Sequence, residues 1–216
     1  MNKQKALDII EDYKKSSIGD ESKFIPIKIG EDTVGYLKPI SEEYNLAKQE
    51  YVKLLSDWRS ENQIGFASIF SITNARTENW IENILLKRED RILFMIFSSG
   101  DTPLGHIGLS SFDFQHNSCE IDNVVRGVKD NFTVKMADAM CTLIKWANEL
   151  LDFQDVFLRV LAENTHAIDF YLRNGFIALH DIPLYKVERG NEILWTEEPI
   201  KGMQPDRYYK YMKYGK

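Results

Sequence analysis

Residues 162–176 read AENTHAIDFYLRNGF and follow the apolar run DVFLRVL at 155–161. The run has the length and branching of a buried strand. A short helix over 164–174 comes next, with Asn164 at its cap and Gly175 as the left-handed stop. Phe176 then opens another strand, through about 178. Asn164, Ala167, Tyr171, Gly175 and Phe176 thus stand at fixed offsets behind a buried strand.

Upstream lies CEIDNVVRGVKDNFTVKMADAMCTLIKWA, residues 119–147. A strand at 119–125 runs through a loop into a helix over 134–151, whose apolar face carries Met136, Ala139, Met140, Leu143, Ile144, Ala147 and Leu150. Strand, helix and strand over 119–161 make a unit whose two strands lie parallel, joined by a right-handed crossover. The helix N-terminus presents unpaired backbone N–H groups and a partial positive charge, a site suited to a pyrophosphate.

Further out, Arg91–Ser98 and Leu104–Phe112 read as strands joined by a turn at 99–103 that Gly100 and Asp101 favour. With 119–125 they form a meander. Before them come an amphipathic helix at 4–15, a hairpin of 24–29 and 33–37, and a helix from a Ser41 cap through Asn62. A short extended segment at 64–71 and a helix capped by Thr77 and running to about 87 complete that half. After 176–178, segments 184–187 and 193–196 look like a closing hairpin, and Arg207–Lys216 fits a terminal strand. The expected class is α/β (mixed α+β), a mixed sheet flanked by helices. Residues 1–40, helix plus hairpin, read as an extension packed on a domain spanning 41–216.

Composition narrows the chemistry. The chain has 216 residues, 44% hydrophobic and 28% charged, ordinary for a folded domain. Its net charge of −6 argues against a nucleic-acid partner, apart from the basic tail at 207–216. No apolar run is long enough to span a membrane, and the N-terminus lacks a signal-peptide core, so a cytoplasmic location is expected. Two cysteines, Cys119 and Cys141, exclude a disulfide framework or a four-cysteine zinc site. There is no GxSxG elbow, Walker loop, GxGxxG or HExxH. No metal is expected, and what remains is chemistry by positioning and proton transfer.

The 162–176 pattern, together with the strand–helix–strand unit before it, resembles the coenzyme A site of the GCN5-related N-acetyltransferase (GNAT) superfamily. The resemblance covers roughly residues 40–200. The stretches 54–82 and 119–127 are most similar to the branch containing ribosomal-protein and nucleotide-amino-sugar acetyltransferases. It implies a central, mostly antiparallel sheet with one splayed parallel pair, acetyl-CoA as co-substrate, and a small-molecule amine as acceptor. A homodimer is left open. A ribosomal-protein N-terminus as acceptor, or a CoA-binding module without catalysis, are the alternatives.

The resemblance also implies roles. Backbone groups of Val124, Val125 and Arg126 would pair with the pantetheine arm and place a backbone N–H on the thioester carbonyl. Residues Asn131, Phe132, Thr133, Val134, Lys135 and Met136 fall on the phosphate loop, where the family's glycines are missing. Lys129 or Lys135 would then either put a charge on phosphate or stay solvated. Asn164 and Ala167 belong to the second half of the CoA site, Asn164 as pantetheine contact, cap, or both. Tyr171 corresponds to the tyrosine that protonates the leaving thiolate. Asp122 first, then Glu120, are candidates to deprotonate the amine, since strand alternation puts both on one face. His106 is another. Trp58 and Arg59 either wall the acceptor site or belong to core and surface.

Overall fold

Apolar residues three and four apart fold the first stretch into α1 (Lys3–Lys15), which buries Ala6, Ile10 and Tyr13. In the computed structural model, which describes residues 3–129 and 132–215 and only the backbone at 48 and 49, α1 leads into the hairpin β1 (Ile25–Ile29) and β2 (Asp32–Pro39). Gly30, at φ +63°, takes the left-handed position of its turn. Then come α2 (Lys48–Glu61), the two-residue β3 (Ser68–Ile69), and α3 (Asn74–Trp80), which continues as a π-helical turn over Ile81–Leu85. The meander is β4 (Arg91–Ser98), β5 (Pro103–Asp113) and β6 (Ser118–Arg126). After it the chain forms α4 (Met136–Leu151), β7 (Asp155–Leu161), α5 (Thr165–Arg173), β8 (Phe176–Arg189), β9 (Glu192–Thr196) and β10 (Arg207–Tyr214).

Among the described residues the strands form one sheet in the order β1-β2-β4-β5-β6-β7-β10-β8-β9-β3. Only β6 and β7 pair in parallel; the other pairings are antiparallel. This is the mixed architecture expected. The hairpin of the first 40 residues joins the sheet directly, because β2 pairs with β4 from Gly35–Ser98 to Pro39–Phe94.

Both faces of the sheet are covered, and β4 shows how. Ile92, Phe94 and Ile96 face a core shared with α1 and α4, where Tyr13, Phe94 and Trp146 meet edge to face. Leu93, Met95 and Phe97 face a second core beneath α2 and α3, with Tyr51, Leu55, Trp58 and Ile81. A strand buried on both sides reads as a continuous apolar run, and RILFMIFS is one.

Four local expectations change. Ser41 does not cap a helix: its hydroxyl is buried without a partner, 42–47 form tighter 3-10 turns, and α-geometry begins only at Lys48. Thr73, not Thr77, caps α3, accepting the Arg76 N–H at 3.3 Å, while Thr77 sits inside the helix and bonds Ser56. Of 64–71 only Ser68–Ile69 is strand. Segments 176–178 and 184–187 are parts of one strand, β8, which runs straight through Asp181 and Pro183 because β10 pairs along it.

Candidate active site

β6 and β7 stay together for three residue pairs, Ser118–Asp155, Cys119–Val156 and Glu120–Phe157, and then part. The cause lies in β6. Asn123 and Val124 stand opposite the single residue Ile107, a β-bulge, and Asn123 takes φ +52°. A bulge bends its strand and re-aims the residues beyond it. On its far side β7 is held by β10, from Phe157–Lys213 to Leu161–Tyr209, so it cannot track β6. The result is a cleft of about 620 Å³. Its lining runs along Ile121–Arg126, Leu158–Val160 and the starts of α4 and α5.

Several of the residues singled out in the sequence line the cleft. Val124, Val125 and Arg126 lie on the unpaired edge of β6, along the cleft. Asn164 caps α5, its side chain accepting the Ala167 N–H at 3.2 Å, and both residues line the cleft, so cap and lining coincide. Tyr171 lines the cleft as well. Its ring is wedged between Phe170 and Phe176, with centroids 5.4 and 5.7 Å away. Burial holds its hydroxyl protonated well above the usual tyrosine range, and the Asp122 carboxylate adds to this.

The loop into α4 replaces glycine with packing. Phe132 and Val134 turn into the core, Thr133 is exposed, and the helix starts at Met136 rather than Val134. Asn131 lies outside the described residues. The Asp138 carboxylate accepts the Lys135 N–H at 3.0 Å, and Lys135 Nζ donates to the Phe132 carbonyl at 2.8 Å. Lys135, Met136 and Ala137 border the cleft, and Lys129 is exposed. Arg126, unremarked as a charge in the sequence, donates to the carbonyls of Val128 (3.0 Å) and Lys129 (3.2 Å). It shapes the loop and brings a fixed cation to it.

Glu120 and Asp122 do share a face, as alternation requires, but each is met by a guanidinium. Arg159 reaches Glu120 at 2.7 Å, and Arg91 reaches Asp122 at 3.0 Å. Burial pushes the Glu120 carboxyl up, against the pull of Arg159. Asp122 also accepts the N–H of Asn123 at 2.7 Å and so braces the bulge.

His106 is placed differently. It is buried, and its Nδ1 lies 2.7 Å from the Asn123 carbonyl. A carbonyl can only accept, so Nδ1 carries the proton and Nε2 keeps its lone pair. Burial lowers its pKa to about 4, leaving the ring neutral. His106 and Asn123 form one end of a second cavity of about 280 Å³ beneath α2, β3 and α3. Phe66 and Asn123 border both cavities. Trp58 is buried core, packed on Gly127 and 6.1 Å from the His106 ring, whereas Arg59 does line the second cavity.

A family model described as an acetyltransferase (GNAT) domain matches residues 36–177, which include the bulge, the loop and α5. The chain belongs to the GNAT acetyltransferase family. No curated protein sequence matches it. Among solved structures, a probable GNAT acetyltransferase from Chromobacterium violaceum is similar over 92% of this chain and 87% of its own, at 14% identity and TM-score 0.64. RimL, a ribosomal alpha-N-protein acetyltransferase, is similar at 12% identity and TM-score 0.63, over 88% of this chain and 92% of its own. Spermidine N-acetyltransferase from Vibrio cholerae, solved with CoA and spermine, is similar at 12% identity and TM-score 0.58, over 82% and 92%.

For a GNAT chain the second cavity is the part least legible in its sequence. Phe66, Phe70 and Ile72 reach it from a stretch with little regular structure, and Arg76 and Trp80 from a helix whose cap is misplaced when read from pattern alone. The alternating tail 207–214 was a signal for Tyr209, which lines the cleft from a central strand. Among the described residues no group of three or more His, Cys, Asp or Glu could hold a metal, and no helix is long and apolar enough to cross a membrane.

Proposed function

We propose that this protein moves the acetyl group of acetyl-CoA to a primary amine by direct attack. The observation that carries the reading is the cleft where β6 and β7 part. It meets a second cavity at Asn123, so a thioester and an amine can approach from two sides. The pantetheine arm would run along the free edge of Val124–Arg126, with the diphosphate beside Lys135–Ala137 and the Arg126 guanidinium. The amine nitrogen, entering from the second cavity, forms the new bond to the thioester carbon. A backbone N–H of the bulge holds the carbonyl oxygen as charge builds. The amine proton passes to Nε2 of His106, the carbon–sulfur bond breaks, and the Tyr171 hydroxyl protonates the departing thiolate. We favour His106 over Asp122 and Glu120 because arginines already hold both carboxylates.

A small acceptor suits the second cavity, which α2 and α3 roof over, better than a protein N-terminus would. The amino group of a sugar is the acceptor we favour. The glycine-free loop motivates the second reading, a module that binds CoA without turnover. Thiol release from acetyl-CoA, measured across amino sugars, simple amines and peptides, separates the two. Turnover is expected, and Tyr171→Phe should cut kcat about 10²-fold or more while leaving the calorimetric Kd for acetyl-CoA within about twofold. Tight acetyl-CoA binding with no turnover on any amine would establish the module instead.

A further inference from the structure

The charged side chains that line the second cavity are cationic. Two guanidiniums, Arg59 and Arg76, sit at its wall, and among the described residues no Asp or Glu lines it. Arg59 stacks 3.4 Å over the Phe66 ring, and both arginines flank Phe70, at 5.4 and 5.2 Å. The hydrogen bonds of Arg59 go to Ser68, to its hydroxyl at 2.8 Å and its carbonyl at 3.4 Å, both neutral. The carboxylate that acts on Arg59 is Asp122, which Arg91 already holds at 3.0 Å, so a half-buried cation whose own hydrogen bonds end on neutral oxygens keeps donors for an anion. Burial pulls its pKa to about 10, so it stays charged at any working pH. Arg76 is paired with Glu192 at the exposed rim, where a ligand anion can compete. Exposed pairs are weak.

Resting on the transferase reading above, we infer that the acceptor is an anionic amine: a single-ring body between Phe66, Phe70 and Trp80, its amino group at His106, and its carboxylate or phosphate on Arg59 and Arg76. The cavity of about 280 Å³ is at the small end for a ligand pocket, which suits one ring and excludes a folded peptide. A polyamine would bring its positive charges towards two guanidiniums. Like charges in a partly dry site repel strongly enough to reject it.

The test is thiol release with matched acceptors: an amino-sugar phosphate against the same sugar unphosphorylated, phenylalanine against its amide, and spermidine. In parallel, calorimetry measures acetyl-CoA binding. At least one anionic member should exceed its neutral partner in kcat/KM by thirtyfold or more, and which pair responds tells phosphate from carboxylate. Spermidine should be the poorest. Arg59→Gln and Arg76→Gln should each shrink the anionic-to-neutral ratio at least tenfold, with circular dichroism confirming the fold. Arg76, at the rim, decides if Arg59→Gln does not fold. Equal use of charged and neutral partners, or preference for spermidine, overturns the anionic acceptor while leaving the transferase intact. Failure to bind acetyl-CoA would overturn both.

Discussion

At the scale of single residues, His106 is the one whose environment has two measurable consequences. Its Nδ1 is committed to Asn123, so Nε2 alone can take the amine proton. His106→Gln keeps a side chain that can reach Asn123 but removes the base. It should lower kcat about 10²–10⁴-fold with the acetyl-CoA Kd unchanged. The second consequence concerns pH. The folded protein keeps this ring neutral down to about pH 4, whereas an unfolded chain protonates it near 6.5. Stability from His106 is therefore complete above pH 6.5 and is lost as pH falls towards 4, by about 3 kcal/mol. Urea unfolding at pH 7 and pH 4.5 should show that loss in the native protein and a shallower one in His106→Gln. An identical slope in both proteins would remove His106 from the account. The sequence offered His106 as a candidate base but ranked Asp122 ahead of it. Its selection depends on the bulge across from it, and a bulge is set by two strands together.

At the scale of elements, the approach of α2 to the end of β6 depends on a missing side chain. An added Cβ at Gly127 would fall inside the Trp58 indole, and Trp58 in turn abuts His106. Gly127→Ala should destabilise the protein by about 1–3 kcal/mol, because a packed core has no room to absorb it. Denaturant melts tracked by tryptophan emission would show both the loss and the displaced ring. A melt superimposable on the native one would contradict the packing described. The elements themselves were largely legible. The strand–helix run at 155–176 and the meander at 91–125 fall where period and turn residues put them, because local pattern and tertiary burial agree there. Errors collect where they disagree. Ser41 looks like a cap, but its neighbours Ile40 and Tyr44 are drawn into the core and the turn tightens. Read from pattern, 179–183 fall between two strands, but β10 holds one strand through them. Buried Lys14 also escapes any pattern. It donates to the carbonyls of Leu85 and Arg88, at 2.8 and 2.5 Å, and so ties α1 to the last turn after α3.

At the scale of the whole molecule, β10 holds β7 and β8 together, pairing antiparallel with each. Stopping the chain after Asp206 should abolish the cooperative thermal transition, since two strands would lose their shared neighbour and Met212 would leave the core. Differential scanning calorimetry on the shortened chain checks this, and a sharp endotherm near the native one would refute it. Strand order was the least legible property, because nothing local tells residue 209 that it belongs beside residue 161. Late insertion also carries a kinetic consequence. On the ribosome β7 and β8 emerge first, yet they are not each other's partners, so their facing edges must wait, unzipped, for a ribbon synthesised afterwards. During that interval the half-built sheet exposes hydrogen-bonding edges to any passing strand, and a chaperone or rapid elongation through residues 190–214 would guard the nascent protein from pairing with the wrong one.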